Sequence, residues 1–320
     1  MRRRHFLGAL GAGLAGAAAP RWVGASAGGP GDETLVERWS WAMGQPVRLQ
    51  IFAVSEAAGY DAAQAALAEL RRVERALSRF DEASDLAELN RRAGGAPMAV
   101  GPDLGAVIGA AVGFGRSTEG AFDAAVEPLM RAWGFHAPRT AEPTPSELAE
   151  ARAAVRAARI RLDRGRVSLG SATTQLDLGG IGVGYGLDRM ALVLRQAGVR
   201  RALLDVSGDC LALGAPPGRR GWLVEVADPA RAGGVVEAVL LRDAALATSA
   251  NTASVVRWGR ALRGHIIDPA TGYPADTLMQ ATVVARSGIE ADALSTAMLV
   301  SGRAPIGAVR TYQVGGVPRR

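Results

Sequence analysis

A glycine-rich run in the second half of the chain has the composition of a phosphate-binding turn. It extends from Asp177 to Asp188, after a β-type sequence and before a helical one. Such a turn brings backbone N–H groups close to a pyrophosphate at a helix N-terminus. A Rossmann fingerprint starting at Gly180 would need glycine at position 185, where the chain has Tyr185, although Asp205 stands about where a ribose-binding acid belongs. Rossmann-type binding and a purely structural glycine turn therefore both stay open as alternatives.

The segment 265–272 contributes a single imidazole. His265 ends an apolar strand and comes directly before an Asp-Pro turn. A polar side chain in that place often lines a cleft, although it can also serve only to cap the turn. The other histidines of the chain are His5 and His136, so a metal site built from several histidines is excluded.

A third segment, 291–296, offers oxygen ligands. Asp292 and Thr296 are one helical turn apart on the same face, with Ser295 beside them. One carboxylate and one hydroxyl, completed by water, suit a hard cation such as Mg²⁺. The alternative is an ordinary first turn of a helix. In either case we expect Asp292 on the helix surface, where it contributes little to packing.

The rest of the composition excludes several classes of protein. The chain contains neither a Gly-x-Ser-x-Gly elbow nor a Gly-x-x-x-x-Gly-Lys-Ser/Thr loop. Cys210 is the only cysteine, so an internal disulfide and a cysteine-based zinc site are excluded. Arginine carries all of the basic charge, which indicates a bias of overall composition and argues against a nucleic-acid surface. No nucleic-acid partner is expected.

The N-terminus has the features of an export signal. Arg3 and Arg4 precede a weakly hydrophobic, glycine-rich run and a small-residue site at 25–27. Paired arginines before such a run are typical of the twin-arginine route. Removing residues 1–27 lowers the formal charge from +6 to +2, because four arginines and no acids leave. We expect a periplasmic or extracytoplasmic protein whose mature chain has no membrane span, because no apolar stretch of roughly 18 residues follows the signal.

The apolar spacing predicts a mixture of helices and short strands. A strand is expected over 47–54 and a helix from Ala63 to Ser78. Further helices are expected over 103–116, from a capping box at Thr144, and near 185–197 and 289–301. Short β-type runs dominate the second half, at 160–162, 174–178, 201–206, 221–227, 235–241 and 263–267. This mixture favours an α+β fold. The expected organisation is a signal at 1–27, a linker at 28–40, one large domain at 41–314 and a tail at 315–320.

From about Trp41 to Gly302 the chain resembles the ApbE family of FAD:protein FMN transferases. The motifs of that family occur here in the family's order, as Met43-Gly44, Leu77-Ser78-Arg79-Phe80 with Ser84 and Asn90, Gly120-Ala121-Phe122-Asp123 with Pro128-Leu129 and Trp133-Gly134-Phe135, Asp177-Leu178-Gly179-Gly180, Ser207-Gly208-Asp209, Thr248-Ser249, 265–272 and 291–296. Each motif is short, but eight in the same order are specific.

The resemblance implies a substrate, a metal and a set of site residues. FAD is the implied substrate, with contacts from Met43, Phe80, Ala121, Phe122, Asp123, Asp177 and Val183. His265 is implied near the phosphates of FAD, and it and Asp292 are the implied catalytic residues. Mg²⁺ is implied at the Gly180 carbonyl, Asp292 and Thr296, and Ser295 beside them is expected as a further metal residue. In the implied reaction Mg²⁺ neutralises the pyrophosphate while a Thr or Ser hydroxyl of another protein attacks the FMN phosphorus and AMP leaves. The implied acceptor is an exported or membrane-bound electron-transfer protein.

Some positions depart from the family's pattern and keep two other functions open. Val183 stands where a charged residue is usual, so a polar contact to FAD is lost. Gln45, Ser207, Ala250 and Thr252 also replace the usual residues. The alternatives are a non-catalytic protein for FAD binding or assembly, and an FAD pyrophosphatase that uses the same site with water as the nucleophile.

Overall fold

The computed structural model describes residues 33–137, 139–252, 254–259 and 261–315. Within these ranges the chain forms fourteen strands and seven helices. The strands are β1 (Thr34–Ala42), β2 (Gln45–Ala53), β3 (Met98–Ala99), β4 (Arg161–Asp163), β5 (Arg166–Ser168), β6 (Arg201–Val206), β7 (Asp209–Leu213), β8 (Trp222–Ala227), β9 (Val235–Leu241), β10 (Ala244–Ala250), β11 (Val255–Trp258), β12 (Ala261–Gly264), β13 (Leu278–Ala285) and β14 (Arg310–Gly315). The helices are α1 (Glu56–Leu77), α2 (Asp85–Arg91), α3 (Pro102–Ser117), α4 (Glu127–Trp133), α5 (Pro145–Arg156), α6 (Gly182–Gln196) and α7 (Gly288–Ser301). The predicted α+β class is confirmed.

The principal sheet has seven antiparallel strands in the order β1-β2-β6-β7-β10-β13-β14. Its side chains alternate between two faces, as the period of two in a strand requires. Ile51 and Leu204 face a core shared with α1, α6 and α7. Phe52 and Leu203 face the β8–β9 hairpin on the other side, where the ring of Trp222 lies 5.9 Å from that of Phe52. The sheet is therefore covered on both faces.

A second core lies beside this sandwich and contains most of the remaining helices. It joins the end of α1 to α2, α3, α4 and α5, together with the small sheet β3-β5-β4. Met43, Phe114 and Ala121 pack against both cores. The boundary between the two cores is where the functional cleft opens.

Two of the helices begin at side-chain caps. The Ser55 side chain accepts a hydrogen bond from the N–H of Ala58 at the start of α1. At α5 the predicted capping box is confirmed: Thr144 Oγ1 accepts from the N–H of Glu147 at 3.3 Å, and Glu147 Oε2 accepts from the N–H of Thr144 at 2.7 Å. Of the helices in the described ranges, none has the length and apolar character needed to cross a membrane.

The linker predicted at 28–40 is wrong from residue 34 onward, because β1 occupies residues 34–42 and pairs along its whole length with β2. β1 is an edge strand, and the charged Glu37 and Arg38 interrupt the apolar alternation by which a strand is recognised. The missing alternation explains why the sequence suggested a linker.

The strand predicted at 174–178 does not form. Instead, the Asn90 side chain accepts from the Leu176 N–H at 2.8 Å and donates to the Leu176 carbonyl at 3.0 Å. The N–H of Asp177 donates to the Ala124 carbonyl at 2.8 Å. These side-chain and loop partners satisfy the backbone groups that a neighbouring strand would otherwise satisfy.

Candidate active site

A cleft of about 710 Å³ lies at the boundary of the two cores. Its walls gather eleven of the twelve residues that the sequence suggested for the site: Met43, Phe80, Ala121, Phe122, Asp123, Asp177, Gly180, Val183, His265, Asp292 and Thr296. The substituted family positions Gln45, Ser207 and Ala250 also line it. Segments far apart in the chain therefore meet at one cavity of the size that ligand sites have.

Two hairpin turns form the edge of the cleft nearest the principal sheet. Met43 and Gly44 join β1 to β2 with φ of 54° and 71°, and Ser207 and Gly208 join β6 to β7 with φ of 55° and 102°. Positive φ at both central residues is the geometry of a tight two-residue hairpin. The N–H of Ser207 donates to the Pro46 carbonyl at 3.1 Å, which holds the two turns side by side.

The predicted glycine turn crosses the cleft floor. Asp177 Oδ1 accepts from the N–H of Gly179 at 2.8 Å and so closes the turn. At Gly180 a Cβ atom would lie 2.9 Å from Thr296 Oγ1 and 3.5 Å from the Phe122 ring. Only glycine lets the backbone approach the Thr296 hydroxyl this closely. Phe122 itself is 4% exposed and closes the floor of the cleft from below.

Asp292 and Asp188 cap each other's helices. Asp292 Oδ2 accepts from the N–H of Gly184, in the first turn of α6, at 2.9 Å. In return, Asp188 on α6 accepts from the N–H groups of Gly288 and Ile289, at the start of α7, at 2.7 and 2.9 Å. Each carboxylate thus satisfies free N–H groups at the positive end of the other helix.

The reciprocal caps need two glycines where the helices cross. A Cβ at Gly184 would lie 2.1 Å from the Gly288 carbonyl oxygen, and a Cβ at Gly288 would lie 2.3 Å from that of Gly184. The first turns of α6 and α7 therefore touch backbone to backbone. Contrary to our expectation of a surface carboxylate, Asp292 is 6% exposed.

A second carboxylate, Asp209, lines the cleft with Asp292 and was not among the predicted site residues. Its Oδ1 accepts from the N–H of Thr248 at 2.9 Å. Burial raises the pKa of both carboxyls, to about 7 for Asp292, and the charge of Asp292 raises that of Asp209 further. The Ser-Gly-Asp motif after β6, with its tight turn, was the sequence signal for this residue.

Hydroxyl groups surround the two carboxylates. Ser249 Oγ lies 3.2 Å from Thr296 Oγ1 and 2.8 Å from Ser295 Oγ. Ser295 is 1% exposed, and its hydroxyl donates to the Asp292 carbonyl at 2.9 Å. Ser295 thus lies behind the cleft wall and not among the lining residues, as a metal ligand would. Its hydroxyl instead holds Ser249 and Asp292 in place.

This oxygen-rich corner fits a hard cation. Asp292, Asp209 and Thr296 all line the cleft and supply carboxylate and hydroxyl oxygens, which Mg²⁺ prefers. A carboxylate has two oxygens with several lone pairs, so Asp292 can cap α6 and still offer a ligand atom. A cation would also relieve the repulsion that raises the pKa of Asp209.

Asp123 is a further acidic group of the cleft. Asp123 lines the cleft and accepts from the N–H of Ala125 at 2.8 Å, while burial raises its pKa. Phe80, 78% exposed, lies at the rim, and the Arg79 guanidinium carbon is 3.9 Å from its ring centroid. The rim therefore offers an aromatic face to an incoming planar ring.

His265 follows β12 with its ring against that of Phe135, at 6.4 Å between centroids. Its Nδ1 is buried and has no hydrogen-bond partner within the described ranges. Burial lowers the pKa of the imidazole, so the neutral form prevails at pH 7. The Asp-Pro turn is closed by Asp268, which accepts from the Ala270 N–H at 2.8 Å and the Thr271 hydroxyl at 2.9 Å. His265 is therefore not needed as a cap for that turn.

Comparison with known proteins places this architecture in a family. The sequence model of the ApbE family matches residues 43–314. The FAD:protein FMN transferase of Haemophilus influenzae is 31% identical over 243 residues, 73% of this chain and 70% of its own length. That of Treponema pallidum is 31% identical over 295 residues, 87% and 82% of the two chains. The crystal structure of the ApbE protein of Thermotoga maritima superimposes with a TM-score of 0.80 at 28% identity, covering 89% and 96% of the two chains. The chain thus belongs to the ApbE family.

Proposed function

We propose that the protein transfers FMN from FAD to a Thr or Ser hydroxyl of an acceptor protein and releases AMP. The observation that carries this proposal is the gathering of eleven predicted residues at one cleft, in a chain whose relatives bear the name FAD:protein FMN transferase. The cleft combines an aromatic rim, a glycine turn and an oxygen-rich corner, which match the ring, the pyrophosphate and a cation.

Binding of FAD rests on the rim and the floor. Phe80 offers an aromatic face at the rim, and Met43 and Ala121 add apolar surface where the two cores meet. The glycine turn lets a phosphate group approach the backbone at 179–180. The N–H of Gly184 is not available to the phosphates, because it donates to Asp292 at 2.9 Å.

His265 is the base that the reaction needs. The acceptor hydroxyl attacks the phosphorus of the FMN half, its proton passes to a ring nitrogen of His265, and the bond from phosphorus to the AMP oxygen breaks. The buried, neutral imidazole is already in the form that accepts a proton. When Mg²⁺ is bound by Asp292, Asp209, Thr296 and the Gly180 carbonyl, it supplies positive charge against the pyrophosphate.

The place of action follows from the N-terminal residues. The paired Arg3 and Arg4 and the small residues at 25–27 lie outside the described ranges, and they support export by the twin-arginine route. An exported enzyme would meet its acceptor, a flavin-bearing electron-transfer protein, outside the cytoplasm.

One experiment separates the proposed reaction from its alternatives. Purified protein is mixed with FAD, Mg²⁺ and a peptide carrying a candidate Thr, and the peptide mass and the nucleotides are analysed. A flavinylated peptide together with AMP supports transfer. FMN and AMP with an unmodified peptide would indicate a pyrophosphatase, and intact FAD would indicate a binding protein.

A further inference from the structure

His136 places a second imidazole in the cleft that contains His265. α4 ends at Trp133, and the φ of 88° at its cap residue Gly134 reverses the chain and returns His136 to the first residue of the same helix. There His136 Nδ1 lies 2.5 Å from Oε2 of Glu127. A short loop thus holds the imidazole of His136 against the Glu127 carboxylate.

Glu127 is a buried carboxylate whose partners are all cationic or proton-donating. It is 2% exposed, and its Oε1 lies 2.8 Å from Arg131 Nε and 3.5 Å from Arg79 Nη1. Burial opposes its ionisation, but the hydrogen bond to His136 and the charges of His136 and Arg79 keep the pKa of Glu127 below its ordinary value. An ionised carboxylate only accepts hydrogen bonds, so Nδ1 carries the proton toward it.

Nε2 of His136 is the nitrogen left for a ligand. Within the described residues it makes no hydrogen bond, and the side chain lines the cleft. A carboxylate that binds one ring nitrogen sets the tautomer and the direction of the other, as in enzymes that use histidine for proton transfer. Glu127 therefore aims Nε2 of His136 into the cleft.

The position of His136 relative to the glycine turn indicates which part of a bound ligand Nε2 would contact. Its Nδ1 is 3.9 Å from Oδ2 of Asp177, the residue that opens the turn. His136 and His265 are close enough that the charge of His136 contributes to lowering the pKa of His265. Both imidazoles therefore lie beside the stretch of backbone where a pyrophosphate would approach.

A metal ion is a poorer occupant of this corner than an anion. Ligand atoms of Glu127, His136 and Asp177 lie within 4.8 Å of one another, a spacing that a metal could use. However, Arg131 and Arg79 already contact Glu127, and Arg79 Nε is 3.9 Å from Asp177. Two guanidinium groups at the same carboxylates would repel a bound cation.

We propose that His136 is the proton donor to the departing AMP, with Glu127 as its positioning residue. This role rests on the proposed function. The acceptor oxygen forms a bond to the FMN phosphorus, the bond from that phosphorus to the bridging oxygen breaks, and the electron pair stays on that oxygen. In this step the His136 ring is an imidazolium with a proton on each nitrogen. The bridging oxygen takes the Nε2 proton, the Nδ1 proton stays toward Glu127, and the proton of the acceptor hydroxyl passes to His265, so protons and charge balance.

The test compares His136→Gln and Glu127→Gln with the wild-type protein in single-turnover transfer from FAD to an acceptor peptide. Glu147→Gln is the matched control, because Glu147 also pairs with an arginine, Arg139, but lies outside the cleft. We expect His136→Gln to slow transfer by about 10² or more, as loss of a general acid does. FAD affinity, measured by flavin fluorescence, should change by less than about threefold. The transfer rate of Glu127→Gln should lie between those of the wild type and His136→Gln, and the rate of Glu147→Gln should match that of the wild type.

Chemical rescue gives a readout that a merely structural role would not change. Added imidazole should partly restore transfer by His136→Ala, a second variant that covers a folding defect in the first.

Several outcomes would overturn the role of His136. These are an unchanged rate in His136→Gln, an equal loss of rate and FAD affinity, or no rescue of His136→Ala by imidazole. If the wild-type protein transferred nothing, the proposed function would fail and this role with it. Transfer by the wild type alongside an unaffected variant would reject the role of His136 alone.

Discussion

The carboxylate of Asp292 accepts a hydrogen bond from the backbone N–H of Gly184, 2.9 Å away, across 108 residues of sequence. One side chain therefore has two roles, because it caps α6 and also presents an oxygen to the cleft. Asp188 makes the complementary cap at α7 but does not line the cleft. The pair allows the structural and the functional contribution of Asp292 to be separated.

We expect Asp292→Ala to abolish Mg²⁺-dependent transfer and also to destabilise the fold. Loss of a helix cap typically costs about 0.5–2 kcal/mol. Asp188→Ala should lose a similar amount of stability in urea denaturation but keep the rise in melting temperature that we expect from Mg²⁺ binding to the wild-type protein. Asp292→Asn can still accept from Gly184, so it should retain stability and lose the response to Mg²⁺. A full Mg²⁺ response in Asp292→Asn would contradict the metal assignment.

His265→Ala should reduce transfer by about 10²–10⁴ with a much smaller effect on FAD affinity, because the imidazole acts on the acceptor proton. Burial lowers the pKa of His265, so the neutral, proton-accepting form persists to more acidic pH than in a free histidine. The acidic decline in kcat/KM should therefore lie below about pH 6.5, the ordinary value for histidine. Equal losses of rate and affinity would make His265 a binding residue only.

Gly184→Ala should be strongly destabilising, because its new Cβ would lie 2.1 Å from the Gly288 carbonyl oxygen. Overpacking of this kind costs about 1–3 kcal/mol, occasionally more. Gly113→Ala is the control: it lies in α3 with nothing within 4 Å of the added atom, and a helical glycine replaced by alanine gains up to about 1 kcal/mol. Urea denaturation of both variants checks the difference. Equal stabilities would mean that α6 and α7 do not cross this closely.

Val183→Lys should strengthen FAD binding. Val183 lines the cleft with an apolar side chain, so a lysine at this position would add a charged contact to the dinucleotide. A hydrogen bond to a charged group contributes about 1.5–3 kcal/mol, which corresponds to one to two decades in affinity. Fluorescence titration with FAD measures the change. No gain in affinity, or in turnover at low FAD, would show that other residues already compensate.

Replacing both Arg3 and Arg4 by Gln should leave the full-length precursor in the cytoplasm. Paired arginines before a weakly hydrophobic run are the recognised feature of the twin-arginine route. Fractionation of cells that express the variant, followed by immunoblotting, measures the distribution. Processed protein outside the cytoplasm would exclude this route, and a variant of Arg21, which lies beyond the pair, controls for the loss of positive charge.

Local features of the sequence determined much of the fold. The cap at Thr144 forms as the sequence predicts, because a capping side chain and its N–H partner are only three residues apart. The spacing of Asp292 and Thr296 on one helical face is likewise local. The order of the family's motifs then identified most of the cleft residues, because the residues of each motif are close together in the chain.

Only the tertiary structure decided how these residues are used. Burial of Asp292 and its cap on α6 depend on the crossing of two helices at Gly184 and Gly288. The proximity of Asp209 to Asp292 and the approach of Arg79 to Glu127 also arise from contacts between separate elements. Burial and charge interactions depend on distance in space, and neither the periodicity nor the spacing of one segment specifies its neighbours. The sequence therefore determined which residues could act, and packing determined which of them are capped, paired or left facing the cleft.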